Sequence, residues 1–371
     1  MPGMKRPKVR GVRGVVPPQA ILKAKLTGFG YALGWSALCR VPESWAAWAF
    51  RIVADIAWRR QGKSVQLLEG NLLRVIGTDA DGAQLRALSR EAMRSYARYW
   101  LEIFRLPVIS RELLVEGMDE NGHVEEFLGH LAAGRGVVCP LPHMGNWDQA
   151  AAWVIGRGVK SITTVMERLE PESLYERFLA FRQEVGLEVL PASGGPSPFG
   201  VLAQRLRRGG LVVLPSDRDV TGGGVEVEFF GERALMMGGS AALAVQTGAA
   251  LMPATLWFTD DRWGVYIHEE IPVPAVGDRW QKAAAMTQEV ARCFEKGIKE
   301  HPADWHMLQR VFVSDLDPQR LASARAKAAA RLRAAERNGN GSRAAETAEA
   351  ERAKPEEAPA PADGASEVGS S

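Results

Sequence analysis

The sequence predicts an α/β protein in which an N-terminal helical layer precedes a sheet flanked by helices. Residues 134–315 alternate short β-rich apolar runs with helical runs, the pattern of strand–helix–strand units and a largely parallel sheet. Residues 20 to about 130 instead repeat apolar and aromatic residues at helical spacing: Trp45, Trp48, Ile52, Val53 and Ile56, then Tyr96, Tyr99, Trp100, Ile103 and Phe104. Composition supports both readings. With 371 residues, 46% hydrophobic and 24% charged, the chain is long enough to bury a core, and its balance excludes wholesale disorder and a polytopic membrane protein.

Taken in order, residues 1–19 read as a basic flexible arm. A domain over 20–316 follows, with a helical part at 20–130 and an α/β core at 131–316. The strand candidates are Gly136–Leu141, Ser161–Val165, Leu187–Leu190, Gly210–Leu214, Leu251–Phe258 and Val265–His268. Helical runs between them lie at 147–155, 172–185, 199–208 and 240–247. A basic Arg/Ala-rich helix is expected over 317–337. The remaining residues, 338–371, read as a disordered acidic tail of low complexity.

Charge is distributed unevenly. Residues 1–60 carry eleven basic side chains against Glu43 and Asp55, whereas residues 338–371 carry three basic against seven acidic. A basic front end suits nucleic acid, an anionic membrane surface or a solvated arm. Nucleic acid is the weakest of these, because no recognition motif or zinc spacing accompanies the charge. Four of the eleven tryptophans, Trp35, Trp45, Trp48 and Trp58, fall in the same region, and indole suits the headgroup boundary. Peripheral docking on the cytoplasmic face of an anionic inner membrane is therefore expected. The apolar stretch Leu26–Cys39 has 14 residues, where a membrane-crossing helix needs roughly 20. Val15-Val16-Pro17-Pro18 after the basic start is unlike the apolar core of a secretory signal. Cys39, Cys139 and Cys293 make no disulfide framework or zinc pair, and they read as apolar filler in a reducing compartment.

The chemistry concentrates after two strands. Val137–Leu141 runs into Pro142-His143-Met144-Gly145-Asn146-Trp147-Asp148, where Gly145 permits a tight turn and Asn146, with Gln149 three residues on, is a suitable helix N-cap. His143 then lies at the carboxyl end of a strand and Asp148 in the first helical turn, the edge where functional residues of open α/β sheets gather. A carboxylate holding one imidazole nitrogen would leave the other to act as a base. The plain alternative is a solvated His beside an acidic helix start. A second strand, Leu211–Pro215, empties into Ser216-Asp217-Arg218-Asp219. It reads either as part of the same active edge or as a surface turn. Gly238-Gly239-Ser240-Ala241-Ala242 is not a serine-hydrolase elbow, and Ser240 reads as an N-cap. His301 and His306 lack a third ligand for zinc and read as packed or capping residues. The stripe Tyr175, Phe178 and Phe181 reads as core before it reads as a substrate groove.

His143-Met144-Gly145-Asn146-Trp147-Asp148 resembles the His-x4-Asp/Glu block of the glycerolipid acyltransferase superfamily. Further segments resemble, more narrowly, the phosphatidylinositol mannoside acyltransferases of actinobacteria, relatives of the late lipid A acyltransferases. They are Tyr99–Pro107, Glu167–Tyr175, Arg218-Asp219, Gly224–Glu232 and His301–Gln309, within a resemblance covering about residues 26–316. It implies an acyltransferase fold with a central mixed sheet. It also implies transfer of a fatty acyl group from acyl-CoA, as co-substrate, to a mannose hydroxyl of a phosphatidylinositol mannoside. His143 would be the base and Asp148 the acidic motif residue. Asp217 takes the position where the family carries a Glu bonded to the catalytic His, one methylene longer. Arg182 falls on the family's functional arginine, and Arg168, Arg218 and Asp219 join it as implied substrate-binding residues. No metal and no cofactor is expected, and direct attack in a ternary complex is favoured over a covalent enzyme intermediate. The alternatives are another acceptor (a lipid A-type glycolipid or a lysophospholipid), acyl carrier protein as donor, or a catalytically silent membrane-binding scaffold.

Overall fold

The computed structural model describes residues 38–167, 172–192, 197–219, 223–319 and part of 321–330. The basic arm, Trp35, Arg168 and the acidic tail lie outside the described residues. Of the helix expected over 317–337, the described positions from 318 to 330 are helical.

After a helical stretch at 38–40 come α1 (Glu43–Arg59), α2 (Lys63–Ile76) and α3 (Gly82–Arg105). Asp81 caps α3 by accepting from Ala83 N–H. Asp55 of α1 receives both Arg90 and Arg94 of α3, and those two guanidinium groups hold its carboxyl well below the usual range. Ala54, Leu68, Leu72, Ala92 and Met93 form the small core of this layer.

The expectation of helices alone up to about residue 130 fails at one place. After the short helix α4 (Arg111–Glu116), Met118–Gly122 forms strand β1. Its sequence, MDENG, has no apolar alternation to read. It is a strand because it pairs in parallel with β10 (Trp263–Ile267), which pairs antiparallel with β9 (Ala254–Phe258). Tertiary pairing overrides weak local preference here.

The central sheet has five parallel strands in the order β4-β3-β5-β2-β8, so the mixed pairing belongs to the separate β1-β10-β9 sheet. Helix α5 (Val124–Ala132) precedes β2 (Val137–Leu141). Helix α6 (Trp147–Gly156) then leads to β3 (Ile162–Met166), α7 (Glu172–Glu184) to β4 (Leu187–Pro191), and α8 (Phe199–Arg207) to β5 (Leu211–Pro215). All five residues of β2 are buried, as a central parallel strand covered on both faces requires. Its alternate residues enter different cores. Val137, Cys139 and Leu141 meet Ala150, Ala151 and Trp153 of α6, while Val138 joins Leu202 and Leu206 of α8.

Beyond β5, the antiparallel ribbon β6 (Val225–Phe229) and β7 (Glu232–Met236) turns through Phe230 and Gly231, both at positive φ, as a two-residue hairpin demands. Helix α9 (Gly239–Thr247) leads to β8 (Ala250–Leu251), and α10 (Arg279–Glu300) closes the second face with a full capping box at Asp278 and Gln281. The single run expected at Leu251–Phe258 divides into β8 and β9, which belong to different sheets. Ser240 is not an N-cap: Gly238 takes that place, and the buried Ser240 hydroxyl lies 3.1 Å from that of Ser216. Cys139 is buried as expected, but Cys39 and Cys293 are only partly so.

Candidate active site

The chain leaves β2 toward β3 and leaves β5 toward β8, so connections from these two neighbouring strands run in opposite directions along the sheet. The carboxyl ends of such strands form the crevice in which open α/β folds place their sites. Leu141 and Pro215, the last residues of β2 and β5, are in register. Their loops therefore meet, and His143 and Asp217, distant in sequence, become partners.

His143 Nδ1 lies 2.5 Å from Asp217 Oδ1, and the His143 main-chain N–H donates to Asp217 Oδ2 at 2.9 Å. The side chain one methylene shorter than the family's Glu makes the contact. Asp217 is fully buried, and its Oδ2 also accepts from the Trp305 indole N–H at 2.9 Å. Burial alone would raise this carboxyl, but the charge of the His143 ring and these N–H donors outweigh it and hold it below the usual value. An ionised carboxylate only accepts, so Nδ1 carries a proton toward Asp217, and in the neutral form of the ring Nε2 is the nitrogen with the lone pair. The His143 side chain is 24% exposed, open enough to meet a substrate.

Asp148 does something else. Sequence spacing makes it a candidate to hold the imidazole, yet it is buried in a two-pronged pair with Arg182, whose Nε and Nη2 lie 2.6 and 2.9 Å from its oxygens. Burial works against the Arg182 charge, but Asp148 raises its pKa further still. Tyr99 O–H adds a long bond of 3.4 Å to Asp148, and burial pushes that phenol well above its ordinary value. The pair anchors the first turn of α6 to the last turn of α7. The other guanidinium nitrogen, Nη1, points at Met166 Sδ.

The turn between the two acidic systems has a local cause. Gly145 has φ +57°, and a Cβ there would stand 2.8 Å from the Leu256 backbone, so only glycine passes. Asn146 caps α6 by accepting from Gln149 N–H, as expected, while its amide donates to Glu102 Oε2 at 2.8 Å. Trp263 and Arg98 also bond Glu102, which ties α3 to the turn. Asp219 is buried beside Gly224, where an added Cβ would collide with it, and Arg218 is half-buried next to it.

The segment after α10 contributes what sequence reasoning missed. His306 N–H donates to the His143 carbonyl at 2.7 Å, and Gly145 N–H to the Asp304 carbonyl at 3.0 Å. Ser95 O–H donates to Asp304 Oδ1 at 2.6 Å and lies 2.8 Å from His306 Nε2. Burial pushes His306 down to about 3, so it is neutral. His301 stacks on Trp257, and both histidines are packed residues as expected. Tyr175 and Phe178 are buried among core aromatics. Among the described residues, Glu126, His130 and Glu270 form the one group spaced to hold a metal ion. Arg135 already clamps both Glu270 oxygens there, beside the start of β2 and away from His143.

The site is thus a partly exposed histidine held by a buried carboxylate where two neighbouring parallel strands end. Comparison with known proteins supplies the class. The pattern of the bacterial lipid A biosynthesis acyltransferase family matches residues 19–314, and the chain belongs to that family. It is an acyltransferase. Its relatives include phosphatidylinositol mannoside acyltransferases. That of Mycobacterium tuberculosis is 42% identical over 321 residues, covering 86% of this chain and 99% of the relative. That of Mycolicibacterium smegmatis is 43% identical over 303 residues, covering 81% and 96%.

Proposed function

We propose that this enzyme transfers a fatty acyl group from acyl-CoA to a mannose hydroxyl of a phosphatidylinositol mannoside at the membrane surface. The acceptor reading rests on the names of the relatives. The mechanism rests on one observation, the 2.5 Å contact between His143 Nδ1 and the buried Asp217. His143 Nε2 removes the hydroxyl proton as the oxygen bonds to the thioester carbon. The carbon–sulfur bond breaks, and the departing thiolate takes the proton back from the imidazolium. Asp217 keeps the ring oriented and offsets its transient charge. Arg182 and Asp148 hold α6 and α7 in place around the acceptor, and Arg168, Arg218 and Asp219 remain the substrate-binding residues that the resemblance implies.

The lipid acceptor keeps its chains in the bilayer, so the enzyme must approach the membrane. Helix α1 offers the surface: Trp45, Trp48, Ile52, Val53 and Ile56 are exposed, and Arg51, Arg59 and Arg60 stand exposed on the same helix and its end. Among the described residues, no helix is long and apolar enough to cross a membrane. The apolar face would enter the headgroup boundary, with the arginines on anionic phosphates.

The test is thioester consumption by wild-type and His143→Ala enzyme, with and without mannosylated phosphatidylinositol. Acceptor-dependent turnover that falls about 10²–10⁴-fold in the variant is expected for a general base. Asp217→Asn should cost more than Asp219→Asn. Turnover independent of the mannolipid, or a folded His143→Ala enzyme with near-normal rate, would overturn the reading.

A further inference from the structure

The buried carboxylate of Asp217 has two oxygens, and the His143 ring uses only one of them. The other oxygen receives the His143 main-chain N–H and the indole N–H of Trp305, a residue with no exposed surface. Without the indole, that oxygen would keep a single donor, and the His143 main chain and ring alone would set the angle of the carboxylate. A buried anion short of a donor is costly, so the group would turn to recover hydrogen bonds and carry the His143 ring with it.

Residues 304–306 hold the same loop a second time through the main chain. Met144 and Trp305 form an antiparallel bridge, with His306 N–H on the His143 carbonyl and Asp304 carbonyl on Gly145 N–H. The segment is itself anchored to the helical layer. Asn71 of α2 donates to the carbonyls of Met307 and Gln309 at 2.8 and 2.9 Å. Ser95 of α3 bonds Asp304 and His306, and Phe258 N–H bonds Asp304 Oδ2 at 3.0 Å. Phe229 meets the Trp305 ring edge-on, leaving the indole one orientation.

We infer that Trp305 is a positioning residue for acyl transfer: its indole N–H fixes the Asp217 carboxylate, and through it the His143 ring. The segment 301–309 thereby transmits the placement of the helical layer to the catalytic pair. This inference rests on His143 acting as the base. A hydrogen bond to a charged group is worth about 10- to 100-fold in an equilibrium, and that is the size of effect expected on kcat. KM should be little changed, because the indole touches no substrate.

The experiment compares wild-type enzyme with Trp305→Phe and with a semisynthetic enzyme whose Trp305 carries a benzothienyl ring, sulfur replacing the indole N–H. The second keeps the ring's size and shape, so it decides the matter even where Trp305→Phe fails to fold. The expected result is an about 10- to 100-fold loss of kcat in the benzothienyl enzyme. Its KM and thermal midpoint should match wild type, and the downfield NMR resonance of the His143 Nδ1 proton should move. Wild-type kcat with an unmoved resonance would reduce Trp305 to packing and overturn the inference. His143→Ala, run alongside, separates the two ideas: near-normal turnover there would sink the base itself, whereas its inactivity beside an active benzothienyl enzyme would sink only the role of Trp305.

Discussion

Helix α3 turns Tyr99 and Ile103 inward until they are 3% and 1% exposed, whereas α1 leaves Trp45 and Trp48 at 72% and 67%. Both helices carry aromatic and aliphatic residues at helical spacing, and the two stripes look alike in sequence. What differs is what lies opposite. Facing α3 are Trp147 of α6, Phe178 of α7 and His306, which meet Tyr99, Trp100 and Phe104 in tilted and edge-on ring contacts. Helix α1 buries Ala46 and Ala54 and turns Trp58 onto α3, where its indole N–H donates to Ser89, while Trp45, Trp48, Ile52, Val53 and Ile56 stay exposed. Periodicity specifies that a face exists. It does not specify whether the face meets protein or lipid.

Stability measurements can break this contrast outright. Tyr99→Ala should cost about 3–5 kcal/mol in denaturant unfolding, the range for removing a buried aromatic ring. Trp45→Ala and Trp48→Ala should each stay within about 0.5 kcal/mol of wild type. Comparable losses at all three positions would mean that α1 is covered by protein. Vesicle sedimentation reads the other side. The double change Trp45→Ala with Trp48→Ala should weaken binding to phosphatidylinositol-rich vesicles by about tenfold or more, since burying one large apolar side chain is worth about 1.5–3 kcal/mol. Unchanged binding would remove α1 from the docking surface.

The inner face of α3 has a pH signature. His306 packs there between Tyr96 and Tyr99, and its pKa falls from an ordinary 6.5 to about 3 because burial disfavours the charged ring. The unfolded chain therefore binds a proton that the folded chain refuses. This contribution is complete above about pH 6.5 and is lost as pH falls toward 3, by at most about 1.4 kcal/mol per unit. His306→Gln should flatten the unfolding free energy over that window, and an unaltered slope would place the titration elsewhere. On that inner face the smallest effect belongs to the Tyr99 hydroxyl. Its bond to Asp148 is 3.4 Å long, so Tyr99→Phe should cost at most about 1 kcal/mol while keeping the packing. A loss approaching that of Tyr99→Ala would transfer the weight from the ring to the hydroxyl.

Much of the site is legible in the order of residues along the chain. The β2 and β5 runs, the Gly145 turn and the Asn146 cap are local features, and each forms where the sequence predicts it. The identity of the histidine's partner is not local. Spacing favours Asp148, five residues on in the first turn of α6, and only the resemblance points to Asp217. Trp305 lies in a stretch that resembles the relatives, yet no periodicity marks an indole as a hydrogen-bond donor to a carboxylate.

By itself the sequence determined the alternation of strands and helices, the amphipathic helical layer and the residue types at two strand ends. Each of these follows from chemistry within a few residues: apolar runs, a residue allowed positive φ, a side chain able to cap. Tertiary structure alone decided that β5 lies beside β2, that MDENG is a strand, that Arg182 takes Asp148, and that Trp305 reaches Asp217. Those outcomes depend on sheet order and on burial. A buried carboxylate must collect its donors from whatever segments the fold brings within about 3 Å, however far apart they lie in the chain.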